Sequence, residues 1–473
     1  MCYRINNYQS VTAVIVLFLV SLACGITRTE ELKEAVRPTI AKTEVELEEI
    51  EFEVTETVGE EDEPVEVIPT NTPRPTALPP TPTPEPEPIL ITKSGFGQNE
   101  QLVGYAFIVE NLNMGLSYED SQYQLAAFNE NGVVVATDSG YIDILLPGQI
   151  LGIGGELYLD EGIIIDRIDV QVNAGDAEVT EPIPSFTIDS VSYYPDEYFP
   201  FVSGVVINPY SVNLTDLQLS AVVYDEVGNI IGGGYGWLNF ILANSSSGAQ
   251  VTVTSAGNVG SFELYPVVSG FSSQFTDEDI PAGVSNIKIL KSGFGQDEFS
   301  AGYGILVENP NQGFSLEYTQ YQVTAYSDDG RVLTTDDGVV NLILPGQIIG
   351  IGGDLYLQEG MIIDYLDAQI IAGDFIESEE FPYFTSENAV YQAGSYSSKV
   401  TGIILSPYHS DITDVRVSAV TYDGNGAVNG GGYTYLDFVP ANGQAAVEVL
   451  VAVSGTPVKV ELFATLSSLS EIE

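Results

Sequence analysis

The sequence predicts an all-β protein of four tandem antiparallel β-sandwiches in two duplicated units, behind a signal peptide and a disordered stalk. The first observation is a long internal repeat. KSGFGQ at 93–98 returns letter for letter at 291–296. The same offset of 198 residues aligns LLPGQILGIGGELYLDEG (145–162) with ILPGQIIGIGGDLYLQEG (343–360), and GGGYGWLNF (232–240) with GGGYTYLDF (430–438). A period held over that length marks a duplicated structural unit. The second observation is patterning: short runs alternate Val, Ile, Leu and Tyr with polar residues and stop at Gly, Asn, Asp or Pro roughly every 8 to 12 residues, as strands and tight turns do. The third is composition, because 47 Gly, 25 Pro and 27 Tyr favour strands and turns over helices.

The chain opens with Arg4 in a short polar start, an apolar run over 11–23 and no acid through residue 24. That is the layout of a secretory signal, and the run is short for a membrane span. SLACG at 21–25 resembles a bacterial lipobox, although Ser21 stands where that motif usually has Leu. The resemblance implies a signal peptide over 1–23, lipidation of Cys24, and an extracytoplasmic lipoprotein anchored at the cell surface. Cys2 and Cys24 are the two cysteines, so cleavage would leave no pair for an intramolecular disulfide. Residues 24–88 read as stalk. Glu-rich sequence runs to 67, with Glu alternating with apolar residues over 45–54, and PTNTPRPTALPPTPTPEPEP fills 69–88. Polyproline II at about 3.1 Å per residue makes the latter a spacer of roughly 60 Å.

The sandwiches are expected at 89–181, 182–277, 284–379 and 380–470, because each duplicated unit itself contains two related halves. GYAFIVEN, QLAAFNENGVVVAT and IDILLPGQ correspond loosely to SGVVINPY, LQLSAVVYDEVGNIIGG and WLNFILANS. YDEVG (224–228) and YDGNG (422–426) are predicted hairpin turns. GGGYG at 232–236 is predicted to be a bulge or tight strand crossing. The order G-x-V-x-N-P, then L-x-L-x-A-V-x-Y-D-x-x-G, then L-P-G-Q resembles FxLYD-type, immunoglobulin-like domains of bacterial envelope and secreted proteins. VENPN (307–311), TAYSDDG (324–330) and LPGQ (344–347) carry the resemblance in the third sandwich; LANS and VPAN replace LPGQ in the second and fourth. The resemblance implies an extracytoplasmic sandwich with no catalytic residues to carry over.

Charge narrows the partners. The formal net charge is −53, and over 89–473 only 8 Lys and Arg stand against 50 acids. A polyphosphate would be repelled, so nucleic acid is excluded as a partner. Catalytic parts are scarce: His409 is the single histidine, which removes His-based zinc sites, Cys–His pairs and repeated Ser-His-Asp triads. KSGFGQ lacks the Gly-Lys-Ser/Thr ending of a phosphate loop. No cofactor is expected, with calcium as the one metal the oxygen ligands would suit. Its candidate ligands are Asp277, Glu278 and Asp279 between the units, Asp328 and Asp329 in YSDDG, and Asp336 and Asp337 in TTDDG. None follows a D-x-D-x-D-G loop, and solvated turns weigh more. SYYPDEYFPF (192–201) offers Tyr193, Tyr194, Tyr198, Phe199 and Phe201 as a binding patch or as core-capping rings. Trp237, which becomes Tyr435 in the second copy, is expected in a core. The expected function is a non-catalytic envelope spacer or adhesion module, held to the membrane by its N-terminal lipid and meeting a polysaccharide or an envelope protein. The alternative is a carbohydrate-binding or carbohydrate-active protein using exposed aromatics and carboxylates.

Overall fold

In a computed structural model, residues 86–466 are described, apart from 181–182, 197, 276–279, 298–299, 379–381 and 395–396. The expected signal peptide, the lipidation candidate Cys24, the expected stalk up to residue 85, the acidic cluster Asp277, Glu278 and Asp279, and the expected junctions at 181–182 and 379–380 lie outside the described residues. What is described is all-β, with every strand pairing antiparallel.

The first copy contains β1 (Leu90–Asn99), β2 (Leu102–Glu110), β3 (Leu116–Phe128), β4 (Val134–Leu145), β5 (Ile150–Tyr158), β6 (Arg167–Asn173) and β7 (Asp176–Val179). These make two sheets, β1-β2-β5 and β4-β3-β6, with β7 also on β3. Next come β8 (Thr187–Tyr194), β9 (Phe201–Ile207), β10 (Asn213–Tyr224), β11 (Ile230–Ile241), β12 (Ser246–Thr252), β13 (Thr254–Ser255), β14 (Ser261–Val267) and β15 (Gln274–Phe275). They make β12-β9-β8 and β13-β11-β10-β14, with β15 on β10. The second copy repeats this plan. β16 (Lys288–Gln296), β17 (Ala301–Glu308) and β20 (Ile348–Leu355) form one sheet; β18 (Phe314–Tyr326), β19 (Val332–Ile343), β21 (Tyr365–Ile371) and β22 (Asp374–Glu377) form the next. Its last six strands are β23 (Thr385–Gln392), β24 (Ser398–Leu405), β25 (Ile412–Tyr422), β26 (Val428–Val439), β27 (Gln444–Val453) and β28 (Lys459–Thr465). Here β27 bonds to both β24 and β26 and so joins what are two sheets in the first copy.

The sheets pair into sandwich-like units, each closed around its own buried cluster, and the strand periodicity says how. Side chains alternate across a strand. On β6, RIDVQVN alternates in exposure, as an outer strand with one dry face should. On β2, GYAFIV is buried throughout, so both faces of its sheet are covered. Val103, Tyr105, Phe107 and Val109 face the cluster shared with β3, β4 and β6, while Ala106 and Ile108 pack on Val222, Tyr224 and Ile230 of β10 and β11. The second copy does the same with Leu306 against Val420, Tyr422 and Val428. The sandwich-like units within each copy therefore also pack sheet on sheet, and belong to one compact body.

Glycine makes that interface. A Cβ on Gly104 would lie well inside 3 Å of the carbonyls of Thr254 and Gly233, and one on Gly154 inside 3 Å of those of Gly234 and Ala221. The repeated hexapeptide is the rim of this seam. Lys93 Nζ donates to the Gly228 carbonyl at 3.1 Å, 5.2 Å above the Tyr224 ring; Lys291 repeats both contacts with Gly426 and Tyr422 at 2.7 and 5.6 Å. Phe96 packs into the β2–β3 cluster. Gln98 pins the loop after β5, donating to the Ile163 carbonyl at 2.7 Å and accepting from Ile165 N–H at 3.0 Å. KSGFGQ is thus a packing motif and not a phosphate cradle: Gly95 and Gly97 meet the backbone of Ile230 and Ile231, while GGGYG is the tight crossing that Gly104 and Gly154 meet at Gly233 and Gly234. The predicted YDEVG turn is present as well, with Asp225 Oδ1 accepting from Val227 and Asn229 N–H.

Between copies, β8-β9-β12 lies against β18 and β19. Ser203 Oγ donates to the Val332 carbonyl at 2.7 Å, Gln322 Nε2 to Ser247 Oγ at 2.8 Å, and Asn239 Nδ2 to Asp337 Oδ2 at 2.5 Å.

Candidate functional site

A cleft of about 470 Å³ opens where β18, β19 and the edge strand β20 meet β25, β26 and the end of β28. Arg416 braces it. The residue stands in mid-strand in VRVSAV, facing Tyr435 across the β25–β26 ladder, and the sheet buries most of its side chain. Its guanidinium donates from Nη1 to Tyr321 OH at 3.2 Å and from Nη2 to the Gly352 carbonyl at 2.9 Å, and lies 4.5 Å from the Tyr433 ring centroid. The cation braces Tyr321 and Tyr433, and its Nε is buried without a hydrogen-bond partner. What faces the opening is aromatic and acceptor-rich: Tyr433 and Tyr435 edge to face at 5.9 Å, Tyr318, Asp336, Asp337 and Asn341.

Tyr318 is strained. Its φ is 56°, in the left-handed region, where a bulky side chain costs about 1–2 kcal/mol. The corresponding residue of the first copy, Asp120, has φ 53° and tolerates it through its short polar side chain. Other cleft positions differ too: Gln218 becomes Arg416, Ser139 becomes Asp337, Asp143 becomes Asn341 and Trp237 becomes Tyr435. In the first copy the segment after β14 crosses the equivalent place. Gly270 N–H donates to Asp143 at 2.7 Å, and the Phe271 ring meets Trp237 edge-on at 5.9 Å.

Burial raises the carboxyls of Asp336, Asp337 and Asp354 above the usual range; Tyr303 OH on Asp336 at 2.7 Å, Asn239 on Asp337 and Arg416 near Asp354 pull the other way. Burial raises Glu156 likewise. Wherever these groups are ionised in both states, the folded state carries the penalty. As pH falls through the raised folded values toward about 4, where the unfolded chain titrates, the native state binds protons first and gains stability. Below that window stability is lost, because Asp225, Asp329 and Asp423 are held low by hydrogen bonds from their own turns. The thermal unfolding midpoint is expected to rise as pH falls from 7 and to drop again by pH 3, with the rise flattened in Asp336→Asn/Asp354→Asn. A midpoint that falls steadily from pH 7 would contradict this.

The sequence-predicted residues are scattered. Phe201 is 3% exposed and stacks on Tyr194 at 4.8 Å, and Tyr194 also packs against the core of the second copy. Tyr193 lies 6.0 Å from Phe262. Tyr198 and Phe199 are exposed, on a turn whose N–H groups both reach Asp196 Oδ1. Asp329 is committed to Ser327 Oγ and to Arg331 at 2.8 Å beside Asp328 in the β18–β19 turn. Asp336 and Asp337 lie within β19 and not in a turn. Among the described residues no three His, Cys, Asp or Glu side chains gather as a metal would need. Trp237 and Tyr435 are 43% and 49% exposed, so the expectation of core rings is corrected: alternation along β11 and β26 turns them to the solvent side. Arg416 was missed. The signal for it was a cation in an apolar strand run, with Gln in the other copy.

No protein-family model matches the chain, and no curated protein matches it.

Proposed function

We propose that the chain is a non-catalytic, surface-tethered binding module of the FxLYD-like, immunoglobulin-like kind. Lipid at Cys24 anchors it outside the cytoplasmic membrane, the Pro/Thr stalk spaces it, and the stacked sandwiches display the cleft beside Arg416. One observation carries this reading. The long recurring motifs are used up in packing sheet against sheet, and exposed Tyr318, Tyr433 and Tyr435 meet polar side chains in one cleft, several of whose residues differ between the copies. Duplication with a rigid seam supplies a stiff mount for such a cleft.

Two linked measurements test it. Cys24→Ser is expected to move the protein from the membrane to the soluble fraction and to abolish palmitate labelling; retention of both would remove the anchor. The purified full-length chain is expected to sediment saturably with isolated cell envelopes. No sedimentation at any protein concentration would leave a spacer and end the binding role.

A further inference from the structure

The geometry points to a neutral carbohydrate as the ligand of the Arg416 cleft, an inference that rests on the binding-module reading. Four observations select that chemistry. The cleft's about 470 Å³ lies within the range of small-ligand sites and has room for a short oligosaccharide segment. Tyr433 and Tyr435 present half-exposed rings, 39% and 49% accessible, at right angles to one another. Such rings offer flat apolar area against the C–H face of a sugar, with phenolic OH groups at the margin.

The polar complement is rich in acceptors. Asp336 and Asp337 each already accept one hydrogen bond, from Tyr303 and Asn239, and a carboxylate has capacity for more. Asn341 and the Tyr318 hydroxyl add groups of both kinds. A ligand with many hydroxyl donors satisfies this set. An anion meets two carboxylates, while Arg416 directs its two terminal nitrogens to Tyr321 and Gly352 and its unpartnered Nε is buried away from the opening. A cation meets that same guanidinium on the Tyr433 face.

Comparison of the copies supplies the fourth argument. In the first copy Phe271 meets Trp237 edge-on while both stay exposed, at 78% and 43%, and Gly270 N–H bonds to Asp143 on the opposite wall. In the second copy Asp337, Arg416 and Tyr435 stand in place of Ser139, Gln218 and Trp237, and Asn341, able to donate as well as accept, replaces Asp143. Tyr318 is kept in a strained left-handed conformation at the rim, so this place gains hydrogen-bonding groups that a hydroxylated ligand can use. The residues corresponding to the Gly270–Phe271 segment, 467–473, lie outside the described residues.

The experiment is calorimetric titration of the full-length chain, in mild detergent, with neutral hexasaccharides of glucose, galactose and mannose. An oligogalacturonate and spermidine serve as charged comparisons. One neutral oligosaccharide is expected to bind, with affinity falling at least about tenfold in Tyr435→Ala and in Asn341→Ala, the scale of one lost polar contact or stacked ring. Trp237→Ala, in the other copy, is expected to leave binding unchanged. A chain ending at Leu466 is expected to bind as the full chain does; binding seen only after that truncation would make the chain's own tail the occupant and overturn the proposal. Preference for the uronate or the polyamine would overturn it as well. If envelopes are still bound in Tyr435→Ala and no neutral sugar competes, the cleft assignment falls while the binding module stands. If envelopes are not bound at all, the module reading itself fails.

Discussion

Gly154→Val, and its counterpart Gly352→Val in the second copy, are expected to destabilise the protein by about 3 kcal/mol or more, the upper range of overpacking effects. The added Cβ alone would drive into the carbonyls of Gly234 and Ala221, or of Gly432 and Ala419. These are backbone atoms of hydrogen-bonded strands and cannot rotate aside as a side chain can. Relief requires the two sheets to separate, which exposes Ala106, Ile108, Val222, Tyr224 and Ile230 to water. Gly115→Val is the control: nothing lies within 4 Å of its Cβ and its φ is ordinary, so its cost should stay within about 0.5 kcal/mol. Denaturant unfolding of the three variants decides the matter. If Gly154→Val unfolds with the wild-type midpoint, the β1-β2-β5 sheet does not rest on β10 and β11, and the shared interface is wrong.

The seam also shows what the sequence could and could not disclose. Strand identity was legible because GYAFIV, LSAVVY and RIDVQVN, with Gly, Asn and Asp between such runs, leave little choice but strands and hairpins. The difference between a continuous apolar run and an alternating one even carries the layer: β2 is buried on both faces and β6 on one. The meaning of KSGFGQ was not legible, because its lysine meets Gly228, 135 residues away. No local pattern tells a glycine that admits another backbone from one that makes a turn. The cleft was hidden for a related reason. Its walls come from residues between Tyr318 and Leu466, and a ring such as Tyr435 reads the same whether alternation turns it inward or outward. The aromatic string at 192–201, open in the sequence between a binding patch and core-capping rings, divides in the fold: Phe201 is buried against Tyr194 and Phe199 is exposed.

Asn309→Asp is the second substitution with a large expected effect, and it separates hydrogen bonding from packing. Asn309 is fully buried in VENPN, and its Nδ2 faces three carbonyls, of Phe314 at 2.7 Å, Ile343 at 3.3 Å and Leu344 at 3.1 Å. Its Oδ1 accepts from the backbone and side-chain N–H groups of Asn311 at 3.1 and 3.0 Å. Asn111 and Asn208 make the same kind of lock in the first copy, and Gln347 closes the neighbouring LPGQ turn by accepting from Leu344 N–H at 2.9 Å. Asn309→Ala removes this donor from all three carbonyls, of which Leu344 keeps Gln347 N–H at 3.1 Å, and strips the Asn311 N–H groups of their acceptor, at about 3 kcal/mol. Aspartate has nearly the same shape but turns an acceptor toward them, adding a buried charge, so it should cost more than alanine at pH 7. The sign with pH follows. Burial would raise the new carboxyl, and protonation restores one donor, so the deficit of Asn309→Asp relative to Asn309→Ala should shrink as pH falls from 7 toward 5. Ser406 occupies the corresponding place in the last sandwich, where its hydroxyl accepts from Tyr408 N–H at 3.2 Å. Asn309→Ser should accordingly fall between wild type and alanine. Equal stability of the aspartate and asparagine chains at pH 7 would show that volume and not donation holds this corner, and the shared motif would then be a packing signature alone.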